Sequence, residues 1–109
     1  MSQIRYEVIE DLSALPQEVQ QGLQGKQQSE GLTVVEAEGA TYALLSLGER
    51  PTGGYTIEVQ QVIESAGRIE IHAKVKEPAA GLSVIQMITY PALVVKLPET
   101  GKPVEWKQK

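Results

Sequence analysis

Residues 55–76 read YTIEVQQVIESAGRIEIHAKVK, two runs of alternating apolar and polar side chains on either side of a short break. Alternation with a period of two is typical of β-strands that bury one face. In both runs the apolar residues carry odd numbers, so two antiparallel strands bury the same face only if the loop between them has an odd length. We therefore predict strands over residues 55–64 and 68–76, joined by the three-residue loop 65–67, in which Gly67 takes a left-handed conformation.

This register determines which side chains of the hairpin face each other. The predicted inward-facing pairs are Ile63 with Ile69 and Ile57 with Val75. The predicted outward-facing pairs are Glu64 with Arg68 and Glu58 with Lys74. Since the outward pairs join opposite charges on an exposed face, we expect them to be solvated ion pairs.

A second hairpin is predicted upstream, where two strand-like runs over residues 33–38 and 41–47 flank Gly39 and Ala40. Glycine at the first central position of a two-residue loop is typical of a type II′ turn. The run 41–47 is apolar on both faces. We therefore predict that it forms a central strand covered on each side.

The N-terminal third of the chain is predicted to contain one short strand and one amphipathic helix. The strand covers residues 4–8, where Ile and Val alternate with charged residues. The helix covers residues 13–29, and its apolar positions recur every four residues at Leu15, Val19 and Leu23. Gly22 and Gly25 each weaken such a helix by about 1 kcal/mol relative to alanine. We therefore expect the helix to depend on packing against a sheet.

The C-terminal part combines a long apolar run with a polar end. Pro91 interrupts the run 82–97 and marks a bulge, a sheet edge or a switch between sheets, because proline cannot donate to a strand ladder. We predict one domain over residues 1–97 and a polar tail over 98–109, with packing of Val104 and Trp106 as the alternative for the tail. The predicted fold class is α+β: a mainly antiparallel sheet of about six or seven strands, curled into a β sandwich or open barrel, with one packed N-terminal helix.

Composition and charge exclude several classes of protein. The chain has 109 residues, 41% of them hydrophobic, which is the size of one ordinary domain. It has no cysteine, which excludes disulfides, thiolate nucleophiles and most structural zinc sites. A net charge of −4 without a dense basic stripe predicts no nucleic-acid partner. The first residues lack the pattern of an export signal and no run reaches the roughly 20 apolar residues of a membrane span, so we expect a cytoplasmic chain without membrane insertion.

Histidine and aspartate, two common catalytic residue types, each occur once in this chain. His72 is the only histidine and Asp11 the only aspartate. His72 falls on the polar face of the predicted strand 68–76, so we expect a solvated surface residue. Nothing in the spacing indicates that His72, Asp11 and a serine form a catalytic triad. We predict no catalytic residue, no metal site and no cofactor.

The strongest candidate for a functional site is the loop that follows the predicted central strand. Pro51 restricts the backbone at its own position and at Arg50, and the paired glycines permit tight turns or a close backbone approach. Such a preorganised loop loses little entropy on binding, so we predict a protein-binding loop; the alternative is a tight connection between two core strands. No Lys-Ser/Thr pair follows the glycines, which argues against a phosphate-binding loop. The predicted binding residues are Glu49, Arg50, Pro51, Thr52, Gly53, Gly54 and Tyr55.

The segment LSLGERPTGGYTIEV at residues 45–59, together with MITYP at 87–91 and VVK at 94–96, resembles the PrcB C-terminal domain family. The likeness runs from about residue 42 to residue 97, and its most specific part is the RPTGGY core at 50–55. The family is named for a subunit of a bacterial surface protease complex. The resemblance therefore implies a noncatalytic, protease-associated module, and many members of the family are exported.

The same loop is also similar to the Asn-Pro-Thr-Thr-Gly-aromatic loop of chagasin-type cysteine-protease inhibitors, which enters the active-site cleft of the target. In this chain Arg50 replaces the asparagine and Gly53 replaces the second threonine. Inhibition of a protease is therefore one alternative function, and a purely structural or regulatory role is another. The expected partner is a protein, with a protease as the specific candidate, and the sequence leaves the oligomeric state open.

Overall fold

The computed structural model describes residues 2–78 and 86–108. Within these residues it contains eight strands and one α-helix. The strands are β1 (Ser2–Gln3), β2 (Glu7–Ile9), β3 (Glu30–Ala37), β4 (Ala40–Leu47), β5 (Thr56–Ser65), β6 (Arg68–Lys76), β7 (Ala92–Pro98) and β8 (Val104–Gln108). The helix α1 spans Gln17–Gly22, and two short 3-10 helices span Leu12–Ala14 and Lys26–Gln28.

The strands of the described residues form two four-stranded sheets, in the orders β1-β5-β6-β8 and β2-β7-β4-β3. Every strand pairing is antiparallel except the parallel pair of β6 and β8. The predicted fold class is confirmed: the chain is an α+β protein built as a mainly antiparallel β sandwich with one helix packed on it. The two separate sheets replace the single curled sheet of six or seven strands that we predicted, because both ends of the chain add strands to them.

Strand β4 is the centre of the second sheet, as predicted. All eight of its residues are buried, and it pairs with β3 on one side and β7 on the other. Its side chains alternate between two cores. Ala43 and Leu45 lie in the core between the sheets, whereas Tyr42 and Leu44 lie in the core beneath α1, which includes Val19. The loop that follows β4 therefore starts from the most completely buried strand of the protein's described part.

The N-terminal helix is shorter than predicted. Helix α1 ends at Gly22, and the 3-10 helix Lys26–Gln28 follows Gly25, whose φ is 77°. A glycine in this left-handed conformation is typical of the end of an α-helix. The predicted packing face is nevertheless confirmed, since its three apolar residues are buried: Leu15, Val19 and Leu23.

Both hairpins close through two-residue turns, and both predicted turns are wrong by one residue. The β3–β4 turn consists of Glu38 and Gly39, with φ of 53° and 75°, rather than Gly39 and Ala40. The β5–β6 turn consists of Ala66 and Gly67, with φ of 55° and 79°, rather than three residues. Two successive positive φ angles are the signature of a type I′ turn, whose twist matches that of the strands. The predicted left-handed conformation of Gly67 is confirmed.

A β-bulge changes the register of the β5–β6 hairpin between Val59 and Gln61. On the side of the bulge that is far from the turn, the predicted pairs are confirmed: Ile57 with Val75 and Glu58 with Lys74. On the turn side, the predicted pairs are wrong, since the observed pairs are Ile63 with Glu70, Glu64 with Ile69 and Ser65 with Arg68. The extra residue of a bulge shifts the parity of one strand, so a two-residue turn closes the hairpin in place of the three-residue loop.

The predicted N-terminal strand is split between the two sheets. Strand β1 pairs with β5, and the amide of Ile4 donates to the carbonyl of Val62 at 2.9 Å. The chain then crosses to the other sheet, where β2 pairs with β7. Because of this crossing, Val8, which we expected on the buried face, has 40% of its surface exposed.

The stretch that we predicted to be a polar tail contains strand β8, which lies parallel beside β6. Val104 and Trp106 pack against the core between the sheets, and the indole Nε1 of Trp106 donates to the carbonyl of Ala73 at 3.1 Å. In the predicted apolar run 82–97, residues 82–85 lie outside the described residues. Strand β7 begins directly after Pro91.

Candidate functional site

The predicted binding loop, residues 49–55, follows β4 directly after Gly48. Any other residue at position 48 would be strained. Gly48 has a φ of 69°, and a Cβ built on it would lie 3.1 Å from the amide nitrogen of Glu30. The Gly48 amide donates to the buried hydroxyl of Ser46 at 3.2 Å, and that hydroxyl donates to the Gln27 carbonyl at 2.8 Å. The loop is therefore anchored to the segment that precedes β3 before it turns outward.

A second segment, residues 86–90, holds the loop from the other side. The amides and carbonyls of Arg50 and Thr89 form two hydrogen bonds of 2.8 and 2.9 Å, which make an antiparallel bridge between the two segments. The Thr89 hydroxyl donates to the Thr52 carbonyl at 2.8 Å, and the Tyr90 hydroxyl lies 3.4 Å from a carboxylate oxygen of Glu49. We call residues 86–90 the bracing segment, because its hydrogen bonds to the loop restrict the loop's conformation in addition to the restrictions from Pro51 and the glycines.

The side chain of Arg50 turns toward the body of the protein rather than into solvent. It is 27% exposed, and its Nη2 lies 3.5 Å from the Glu30 carboxylate. Its guanidinium carbon lies 5.5 Å from the centre of the Tyr55 ring, within the range of a cation–π contact. The charge of Arg50 is therefore already engaged by one carboxylate and one aromatic ring of the same chain.

The remaining loop residues are unevenly exposed. Glu49, Pro51 and Gly54 are exposed, whereas Thr52 and Gly53 are half-buried. The Thr52 hydroxyl bonds locally to the Gly53 carbonyl at 3.0 Å. Of the two paired glycines only Gly54 has a positive φ, at 91°. The structure thus brings the seven predicted residues together on one short loop and directs three of them to solvent.

The bracing segment carries large apolar side chains in solvent. Met87 is 62% exposed, Ile88 is 55% exposed and Tyr90 is 40% exposed. Sequence reasoning missed these residues as site candidates, because they belong to a long apolar run that reads as core. In the sequence, only the family resemblance described above connects them with the loop, because it includes residues 87–91 as well as the loop motif.

His72 is not the solvated residue that we predicted. Its side chain is 12% exposed, and its Nε2 lies 3.1 Å from a carboxylate oxygen of Glu70, which is 13% exposed. The parallel strand β8 causes this burial, because it places Glu105 opposite Glu70 and Lys107 opposite His72. The Nδ1 atom of His72 is buried and has no hydrogen-bond partner in the part of the chain that the structure describes.

Other ionisable groups are engaged in local structure. Asp11 accepts hydrogen bonds from the hydroxyl and the amide of Ser13, at 2.5 and 3.0 Å, and these bonds lower the pKa of its carboxyl group. The hydrogen bond from Lys76, helped by Lys74, lowers the pKa of Glu58. The predicted ion pair of Glu58 with Lys74 is confirmed at 3.7 Å.

The other predicted ion pair, Glu64 with Arg68, is wrong. Glu64 pairs with Lys102 rather than Arg68. Arg68 lies instead 3.5 Å from Glu70 and 3.2 Å from Glu105. In residues 2–78 and 86–108, no group of three His, Asp or Glu side chains is placed to hold a metal ion, and no helix is long and apolar enough to cross a membrane.

Comparison with known proteins gives one match. No curated protein and no solved structure matches the chain. The family model described as PrcB C-terminal matches residues 41–98, which is more than half of the chain. The matched region begins in β4, ends with β7, and includes both the loop and the bracing segment. The chain therefore belongs to the PrcB C-terminal family.

Proposed function

We propose that this chain is a noncatalytic protein-binding module of a protease complex and that it recognises its partner through one face. This face, which we call the loop face, consists of the loop at residues 49–55 and the bracing segment at residues 86–90. Membership of the PrcB C-terminal family suggests a domain associated with a protease complex. The assignment of binding to the loop face is our inference from its geometry.

The observation that carries this proposal is the position of the exposed apolar side chains. Five large hydrophobic residues of the described chain are exposed, and three of them lie on the bracing segment: Met87, Ile88 and Tyr90. Apolar side chains clustered beside polar ones are typical of surfaces that bind other proteins. The remaining two, Val8 and Val34, lie singly on strands β2 and β3, as surface apolar residues commonly do.

The backbone of the loop face supports the same role. The bridge between Arg50 and Thr89 and the hydrogen bond from Thr89 to Thr52 restrict both segments at once. A surface that is already ordered loses less conformational entropy on association, so more of its contact energy remains as affinity. The alternative of protease inhibition rested on the likeness to chagasin-type loops, and no comparison supports that likeness.

A pull-down with a matched control tests this proposal. The purified chain should capture a protease, or a subunit of its complex, from lysate and envelope fractions of the native organism. The double variant Met87→Ser/Ile88→Ser should lose most of this capture, because exposed apolar anchors contribute most of the energy of many interfaces. The control variant Val8→Ser/Val34→Ser removes two exposed apolar side chains elsewhere and should retain capture.

Two outcomes would contradict the proposal. One is the absence of any protease component among the proteins that the wild type captures. The other is equal loss of capture in the control and the loop-face variants at equal thermal stability. Titration against papain-like and subtilisin-like proteases separates inhibition from association: we expect no inhibition, and dose-dependent inhibition that Thr52→Ala abolishes would favour the inhibitor alternative.

A further inference from the structure

A small pocket lies at the base of the loop face, where three strands meet. It has a volume of about 150 Å³ and lies beside the first residues of β5 and β7 and the residue that follows β2. Sites for small molecules usually have volumes of roughly 300 to 1,000 Å³. The pocket is therefore about half the size of the smallest of these, which suits a single side chain of a protein better than a free metabolite.

The lining of the pocket combines apolar side chains with the polar residue Thr56 and one carboxylate. Ile57, Ala92 and Leu93 provide aliphatic surface, and Tyr55, the last residue of the loop, provides an aromatic ring. Glu10 is the only charged residue among the described residues that line it. Glu10 is exposed and makes no ion pair with any described residue, so its charge is available to a partner.

The charges around the pocket favour a cation. Arg50 is the one basic residue of the loop, and it is already paired with Glu30 and the Tyr55 ring. Glu49 is an exposed acidic residue of the loop, and its carboxylate accepts a hydrogen bond from the hydroxyl of Tyr90, the residue before the lining residue Pro91. Lys76 lies opposite Thr56 in the β5–β6 ladder, but its ammonium group is engaged by the Glu58 carboxylate. Glu10 is therefore the charged group of the pocket that has no oppositely charged partner among the described residues.

From these features we infer that the pocket receives a lysine or arginine side chain of the protein partner. The aliphatic stem of such a side chain packs against Ile57 and Leu93, and its charged end reaches the carboxylate of Glu10. Long basic side chains commonly bury their stems on apolar surface while the charge remains near water. This inference rests on the proposed function, since it names the side chain by which the partner engages the loop face.

Titration with two capped tripeptides tests the inference without an identified partner. Acetyl-Gly-Lys-Gly-amide carries the basic side chain, and acetyl-Gly-norleucine-Gly-amide carries a similar stem without the charge. The lysine peptide should cause saturable NMR shifts at the amides of Thr56 and Ala92 and should bind roughly two- to fivefold more tightly, as a partly exposed ion pair allows. Glu10→Gln should abolish this preference. Glu99→Gln, which removes the same charge at the other end of β7, should leave it unchanged.

Equal binding of the two peptides, absence of saturable shifts, or an unchanged lysine preference in Glu10→Gln would each overturn the inference. The pull-down distinguishes its failure from failure of the proposed function. If the wild type and Glu10→Gln capture the protease component equally while the Met87→Ser/Ile88→Ser variant does not, the loop face binds the partner and the pocket does not receive a basic side chain. If the wild type captures no protease component, the proposed function itself fails.

Discussion

Strand β4 and the loop that follows it are neighbours in the sequence, yet different interactions hold them. Every residue of β4 is buried between two cores. The loop at 49–55 has little apolar packing. It is held by the close approach of Gly48 to Glu30, by the Arg50–Thr89 bridge and by the hydrogen bond of the Thr89 hydroxyl. The difference indicates that substitutions in β4 change stability, whereas substitutions at the exposed part of the loop face change binding.

The largest effect should come from truncation of β4. Leu45 is fully buried in the core between the sheets, so Leu45→Ala should lower the free energy of unfolding by roughly 2 to 5 kcal/mol. Chemical denaturation measures this loss, and amide exchange along Ala40–Leu47 should be among the slowest in the wild type. Rapid exchange along β4, or a loss below about 1 kcal/mol, would show that β4 is not the centre of the core.

Substitutions of the paired glycines should have a smaller effect on stability than Leu45→Ala, and they test the backbone conformation of the loop. Gly54 has a φ of 91°, so Gly54→Ala should lower the free energy of unfolding by about 1 to 3 kcal/mol through backbone strain. Gly53 has no positive φ, so Gly53→Ala should cost less. Thermal denaturation of the two variants under identical conditions gives the comparison. A larger cost at position 53 than at position 54 would contradict the described loop geometry.

Two alanine substitutions separate the anchored side of the loop from its free side. Arg50→Ala removes the contacts with Glu30 and Tyr55 and should cost about 1 kcal/mol, since both contacts are partly exposed. Thr52→Ala removes one local hydrogen bond and should cost less than about 0.5 kcal/mol. Urea denaturation measures both values. If Thr52→Ala proves the more destabilising variant, the loop is held differently from the arrangement described.

The smallest effect should be the pH dependence contributed by Glu58. Its pKa is lower in the folded chain, because the ammonium groups of Lys76 and Lys74 favour the ionised carboxylate. A lowered pKa stabilises the fold at neutral pH, and this contribution disappears as the pH falls through the lowered value.

Glu58→Gln should therefore lose slightly less stability than the wild type between pH 7 and pH 3. High salt should reduce the difference between Glu58→Gln and the wild type, because the ion pairs of Glu58 with Lys74 and Lys76 are partly exposed. Identical acid profiles for Glu58→Gln and the wild type in low salt would contradict this role.

Sequence patterning predicted the parts of the fold that depend on local alternation. It identified the buried face of α1, the two hairpins and the central position of β4. It missed the bulge between Val59 and Gln61, because Val62 and Ile63 are both apolar and fit either phase of the alternation. It also missed β8, whose pairing joins residues far apart in sequence and so leaves no local signal.

The candidate site was predictable to a similar extent. Proline and glycine mark the loop at 49–55 in the sequence, because their backbone restrictions are local. The bracing segment was not identifiable from patterning, because its contact with Arg50 joins residues 39 positions apart, and exposed Met87 and Ile88 look like core residues in an apolar run. The burial of His72 was missed for the same reason, since it depends on the distant strand β8.

Site-specific photo-crosslinking tests the central claim most directly. A photoreactive phenylalanine analogue is placed at Ile88 on the loop face and, in a separate variant, at Val34 on β3, both of which are exposed apolar positions. The account predicts that, in the native organism, position 88 crosslinks to a component of a protease complex and position 34 does not. Crosslinking to that component from position 34 alone, or from neither position, would contradict the assignment of partner binding to the loop face.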